Sequence, residues 1–288
     1  MASKRSGGRA PRGGCSIAAG IAVIVVVCIA ILWIRGSANP TLTVPPKVPP
    51  VNNGFDKLRN AANLLTGTDP FLSAKIDPAA EKNYVDANQQ TLAAARDALT
   101  YPYMDMTPRS PNALFPYFAQ FRKIARLYLC ESHVKSRAND YSGAASSALD
   151  AIQLGETVPK GSIIIGKLVG IACEAIGRRP LKSCIPHLSG AECKELCKRY
   201  ESLCQMHVSE KETLTEEKYF GQEALLTAFR SGQVSSLLWQ GTGNQPPTSF
   251  NVMAQFYLLL HSKRSIIENY TNYLLARKSL GLIFSACQ

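Results

Sequence analysis

Residues 122–158 read RKIARLYLCESHVKSRANDYSGAASSALDAIQLGETV, and this stretch decides the fold. Apolar side chains at Leu114, Phe118, Phe121, Ala125, Tyr128 and Leu129 return every three or four positions. That is the period of one helix face, so the spacing predicts a helix from about Leu114 to near Arg137. Ala138-Asn139-Asp140 makes a short turn. A second helix then carries Ala144, Ala145, Ala148 and Ile152 on one face and stops near Gly155. Small residues on that face let a neighbouring helix approach closely. The unit is an antiparallel helix pair.

Working outward, the same logic covers the rest of the body. A third helix follows Pro159, with Gly166, Gly170, Cys173 and Gly177 on one side. Glycine costs about 1 kcal/mol in a helix interior, so three on one stripe predict a tight crossing. Lys167, Glu174, Arg178 and Arg179 exclude this helix as a membrane span. Ser189-Gly-Ala-Glu192 is a capping box opening a helix to about His207. Ser209-x-x-Glu212 offers the next cap, with Thr213-x-x-Glu216 as the alternative. Two further helical stretches are expected at 249–261 and 263–284, and Val252 to Leu260 is too short an apolar run to span a bilayer. Upstream, Asp77-Pro78 pairs an N-cap with proline at the first helical position and opens a helix to about Leu99. Prolines at 102, 108 and 111 then mark a loop. No stretch alternates as a strand would. Residues 54–288 therefore read as an all-α domain, an irregular α-α hairpin or solenoid.

The N-terminal part is different. Residues 15–34, CSIAAGIAVIVVVCIAILWI, contain no charge. At about 1.5 Å rise per residue they match a hydrocarbon core of about 30 Å. With Arg35 closing the run, residues 15–35 are expected to form a single-pass transmembrane helix contacting the lipid bilayer. The apolar run is longer than that of a cleaved signal peptide. Cys15 precedes the run rather than following it, which argues against a lipoprotein. The basic tail, residues 1–14, holds Lys4, Arg5, Arg9 and Arg12 and no acid, so it is expected in the cytoplasm by the positive-inside rule. The body then lies on the outer side of the cell membrane. Residues 36–53, GSANPTLTVPPKVPPVNN, are rich in proline and favour extended polyproline II. They are expected to serve as a stalk.

This placement changes the meaning of the net charge of +11. Lys4, Arg5, Arg9, Arg12 and Arg35 all precede Asp56, the first acidic residue. They belong to membrane topology, and the mildly basic remainder gives no reason to expect a nucleic-acid partner.

Of nine cysteines, Cys15 and Cys28 lie in the apolar run. The other seven are Cys130, Cys173, Cys184, Cys193, Cys197, Cys204 and Cys287. An outward compartment permits disulfides, but spacing alone does not assign pairs. Cys184, His187, Cys193 and Cys197 are candidate zinc ligands: thiolates and imidazoles suit that ion, and Cys193 and Cys197 are one helical turn apart. His207 and Cys204 extend the cluster, but Cys204 lies about 16 Å along the axis from Cys193, so all cannot share one ion. The bland reading is that Cys193, Leu196, Cys197, Tyr200, Leu203 and Cys204 form an apolar stripe, with cysteine acting as a small hydrophobe. Glu131 and Glu174 sit in apolar helical stretches and need a partner such as Arg126, Arg178 or Arg179. No metalloprotease, phosphate-loop, serine-hydrolase or dinucleotide motif is present.

Residues 114–157 have the local character of a tetratricopeptide hairpin. Asp140-Tyr141-x-x-Ala144-Ala145 resembles the start of a repeat's second helix, without a strict 34-residue period. The pieces RKIARLYLCES, NDYSGAASSALDAIQLGETV, IIIGKLVGIACEAIGRRPL and LSGAECKEL resemble uncharacterised membrane-anchored helical proteins of planctomycete-type bacteria. That resemblance implies architecture and location and no known activity. The expected function is non-catalytic: an outward helical domain that binds another protein or scaffolds it. The alternative is an envelope enzyme using zinc in the Cys184–His207 region.

Overall fold

A computed structural model of the chain describes residues 26–27, 44–72, 77–110 and 113–231. The chain divides into two compact units, residues 43–224 and residues 1–42 with 225–288. The first is the helical body. Its helices are α1 (Gly54–Asn63), α2 (Pro78–Ala87), α3 (Gln89–Ala98), α4 (Pro116–Arg137), α5 (Tyr141–Thr157), α6 (Ile164–Cys184) and α7 (Gly190–Gln205). A further helix, α8 (Glu210–Ser231), starts in the body and runs past its boundary. Short 3-10 turns occur at Pro70–Leu72 and Ile185–His187, and no strand occurs among the described residues. The all-α expectation holds.

The α4–α5 hairpin forms the centre. Pro116 opens α4, where its missing N–H costs nothing. Phe121, Ile124, Ala125, Leu127, Tyr128 and Cys130 are fully buried. Leu114, placed on the helix in the sequence reading, lies ahead of it and is 81% exposed. At the turn, Asn139 takes a left-handed conformation with φ of 64°, which asparagine tolerates better than most residues. Asp140 then caps α5 by accepting from Gly143 N at 2.8 Å. From Ala144 to Thr157 nearly every residue of α5 is buried, because α4, α6 and α7 all pack on it.

The expected tight crossing lies between α5 and α6. A Cβ added at Gly170 would stand 2.5 Å from the Gly155 carbonyl oxygen, and one at Gly177 would stand 2.5 Å from that of Ala148. Real Cβ atoms do not approach oxygen so closely, so these positions require glycine.

One expected helix is two. The stretch from Pro78 to Leu99 breaks at Asn88. Its buried side chain accepts from Thr66 N at 2.9 Å and donates to Thr66 O at 2.9 Å and Tyr84 O at 2.8 Å. The amide satisfies the backbone of a passing segment, and the helix is interrupted there. In contrast, α6 continues through Pro180 and takes in Cys184. Both capping boxes form. Ser189 and Glu192 exchange bonds at the start of α7, as do Ser209 and Glu212 at the start of α8. Glu216, the alternative cap, instead accepts from Arg109 at 2.9 Å through both carboxylate oxygens.

The described part of the proline-rich stretch lies on the body. Lys47 Nζ donates to Asp105 O at 2.9 Å and Gly161 O at 2.8 Å, and burial pushes its pKa down. Asn53 accepts from Met104 N at 2.9 Å while also capping α1. The Asp105 carboxylate beneath accepts from Tyr117 Oη and Ser162 Oγ, both at 2.9 Å. Among the described residues no helix is long and apolar enough to cross a membrane. The expected membrane segment, apart from Val26 and Val27, lies outside the described residues, as do the expected helices at 249–261 and 263–284.

Candidate functional site

Helix α6 has two apolar sides. Gly166, Gly170, Cys173, Gly177, Pro180 and Cys184 are buried on one, and the crossing with α5 uses that side up. The opposite side carries Ile165, Leu168 and Ile171 at 49%, 59% and 50% exposure. They are three residues apart, so they form one strip along the helix. The same outward side continues through exposed Ala175 to Arg179 and Lys182, also exposed. Single exposed aliphatics are common on protein surfaces, and a contiguous apolar strip is a candidate interaction surface.

Beside this strip a cavity of about 580 Å³ opens between α4 and α6, lined by Phe71, Leu129 and Ile176 together with Arg126, His133 and Arg179. Its electrostatics are built from behind. Arg126 pairs with buried Asp69 at 2.5 Å. Glu81, fully buried, meets His133 Nδ1 at 2.7 Å and also pairs with Arg137. Burial, aided by the charge of Arg179, pushes the His133 pKa down. No Asp or Glu lines the cavity. The Arg179 guanidinium has no hydrogen bond or ion pair among the described residues.

Glu131 and Glu174, singled out in the sequence, find partners. Glu131 pairs with Arg96 and, at 3.1 Å, with Lys135, rather than with Arg126. Burial would raise its pKa, but the hydrogen bond and charge of Arg96 and the charge of Lys135 win, and the pKa is lowered. Arg96 also holds Asp150 at 2.7 Å, which Arg199 meets at 2.5 Å from α7. Glu174 pairs with Arg178 at 2.8 Å, one of the partners expected. Burial and the charge of Glu156 still raise its pKa.

The sequence-predicted zinc ligands are not gathered. Cys184 is buried among Ala144, Ala145, Leu181, Leu188 and Leu196. His187 stacks on Tyr141 with ring centroids 4.1 Å apart. Cys193 is half-buried and Cys197 exposed, both as free thiols. They line a second groove with Leu181, Ile185, Leu196 and Tyr200. The expected apolar stripe on α7 is also thinner than the sequence suggested, since Leu203 is its one buried residue. Among the described residues, the ligating side chains that do converge are Glu156, Glu174 and His207, with atoms within 4.8 Å of one another. His207 Nδ1 lies 3.1 Å from Glu156, and its Nε2 lies 3.2 Å from Lys167 Nζ. Both nitrogens are engaged, and Arg178 holds Glu174. The trio is closed by protein cations.

The exposed strip was missed at sequence level, although its signal was present. Once the glycine stripe claims one side of α6, Ile165, Leu168 and Ile171 have no place in the core. The Asp69–Arg126 and Arg96–Asp150 pairs join distant parts of the chain and left no local pattern. Comparison with protein-family models, curated proteins and solved structures finds no match for this chain.

Proposed function

We propose that this protein is a membrane-tethered, non-catalytic helical module that binds another protein through the outward side of α6. The observation that carries the reading is the exposed Ile165–Leu168–Ile171 strip on a helix whose other side is already packed. Burying aliphatic surface of this kind on a partner is favourable at roughly 25 cal/mol per Å². Exposed Lys182 at the end of the same side favours a partner that pairs apolar with acidic side chains. In this reading residues 15–35 anchor the chain in the cell membrane, the basic tail 1–14 stays in the cytoplasm, and the helical body is extracytoplasmic. The α4–α5–α6 succession would serve as a tetratricopeptide-like scaffold. The uncharged run 15–34 and the flanking Lys and Arg support the tether. Nucleic acid is not a partner in this account. The test compares proteins co-purifying from membranes with the wild-type chain and with Leu168→Asp. The reading requires a stoichiometric partner retained by wild type and lost by the variant. Equal recovery by both overturns it.

A further inference from the structure

We propose that the cavity between α4 and α6 is a binding site for a small organic acid with an apolar body, its carboxylate held by Arg179. This site adjoins the outward strip at Ala175 and Arg179, but its ligand is a small acid and the proposal does not depend on the protein-binding reading. Its volume of about 580 Å³ lies inside the range of about 300–1,000 Å³ typical of small-molecule sites. Phe71, Leu129 and Ile176 supply apolar wall, which suits a hydrocarbon or aromatic body.

Charge selects the head group. The nearby acids are already engaged, Asp69 by Arg126 and Glu81 by Arg137 and His133. Neither carboxylate lines the cavity. Arg179, exposed at the edge of the cavity, offers five donors and has no protein acceptor among the described residues. Its planar fork matches a carboxylate in two-point fashion. A neutral ligand would leave Arg179 to water, and a cation would be repelled by it.

The test is calorimetric titration of the full chain in lipid nanodiscs with octanoate, octanol and octylammonium, empty nanodiscs serving as the blank. Octanoate is expected to bind saturably, one per chain, about tenfold or more tighter than octanol. Octylammonium should bind no better than octanol. Arg179→Gln is expected to reduce octanoate to the level of octanol. Ile176→Trp, which fills the wall, should weaken both. The wild-type comparison of the three probes decides the matter even if a variant fails to fold. No saturable octanoate binding, equal binding of octanoate and octanol, or full octanoate affinity in a folded Arg179→Gln variant would each overturn the proposal.

Discussion

Gly155 of α5 and Gly170 of α6 meet backbone to backbone, so closely that a Cβ on either would fall within 2.7 Å of the other's carbonyl oxygen. This contact sets which side of α6 is buried, and so which side faces out. In an isolated helix, alanine would be the better residue by about 1 kcal/mol. Here the substitution forces two helices apart. Gly170→Ala and Gly177→Ala should each destabilise the body by about 1–3 kcal/mol, read as a lower urea midpoint. Gly190→Ala is the control, since nothing lies within 4 Å of its added Cβ, and it should be neutral.

Arg96 is the shared cation of Glu131 and Asp150. Breaking a buried pair from one side typically costs about 3–5 kcal/mol. Arg96 is 37% exposed, and Lys135 and Arg199 remain, so Arg96→Met should cost about 2 kcal/mol. The pH dependence has a fixed sign. Glu131 has a lowered pKa in the folded chain, so its contribution is complete above the unfolded value of about 4.5. It is lost as pH falls through the lower folded value. Urea midpoints between pH 5 and 3 should therefore fall less steeply in Arg96→Met than in wild type.

Asn88 holds three backbone groups from inside the body. Asn88→Ala removes two donated hydrogen bonds and one accepted one and leaves those groups unsatisfied, at about 1–3 kcal/mol per buried group. Thermal unfolding should show a clear loss of stability. Hydrogen exchange should rise first at Thr66 N, whose acceptor is gone.

The cysteines should divide by burial. Cys197 and Cys204 are exposed, whereas Cys130, Cys173 and Cys184 are buried. Burial pushes the thiol pKa of Cys130 and Cys173 up to about 12, so little thiolate forms at pH 8. Peptide-resolved alkylation should label Cys197 and Cys204 at least about a hundredfold faster than Cys130 and Cys173. A disulfide among these residues would show as thiols that react only after reduction.

The parts legible in the sequence were those written locally. The period of α4, the caps at Asp77, Ser189 and Ser209, and the glycine side of α6 each lie within a few residues of what they specify. The break at Asn88 was not legible, because its cause is the backbone of Thr66, twenty-two residues away. The zinc reading failed to gather for the converse reason. Cys193 and Cys197 have the right spacing, but Cys184 is drawn into the α5–α6 seam by Ala144 and Ala145, and His187 turns to Tyr141. The candidate surface needed both kinds of information. Its aliphatic residues stand plainly in the sequence of α6, and their exposure follows only once the Gly155–Gly170 contact fixes the rotation of the helix.

The account rests on the outward side of α6 being an interface with a second protein. The direct measurement places a photo-crosslinking residue at Leu168 in the full chain in its native membrane, with a control at Val51, 85% exposed and distant in sequence. Mass spectrometry then identifies the adducts. A single defined polypeptide, joined through position 168 and absent from the Val51 control, is the predicted result. Adducts at 168 confined to lipid or to the chain's own residues 232–288 would contradict it.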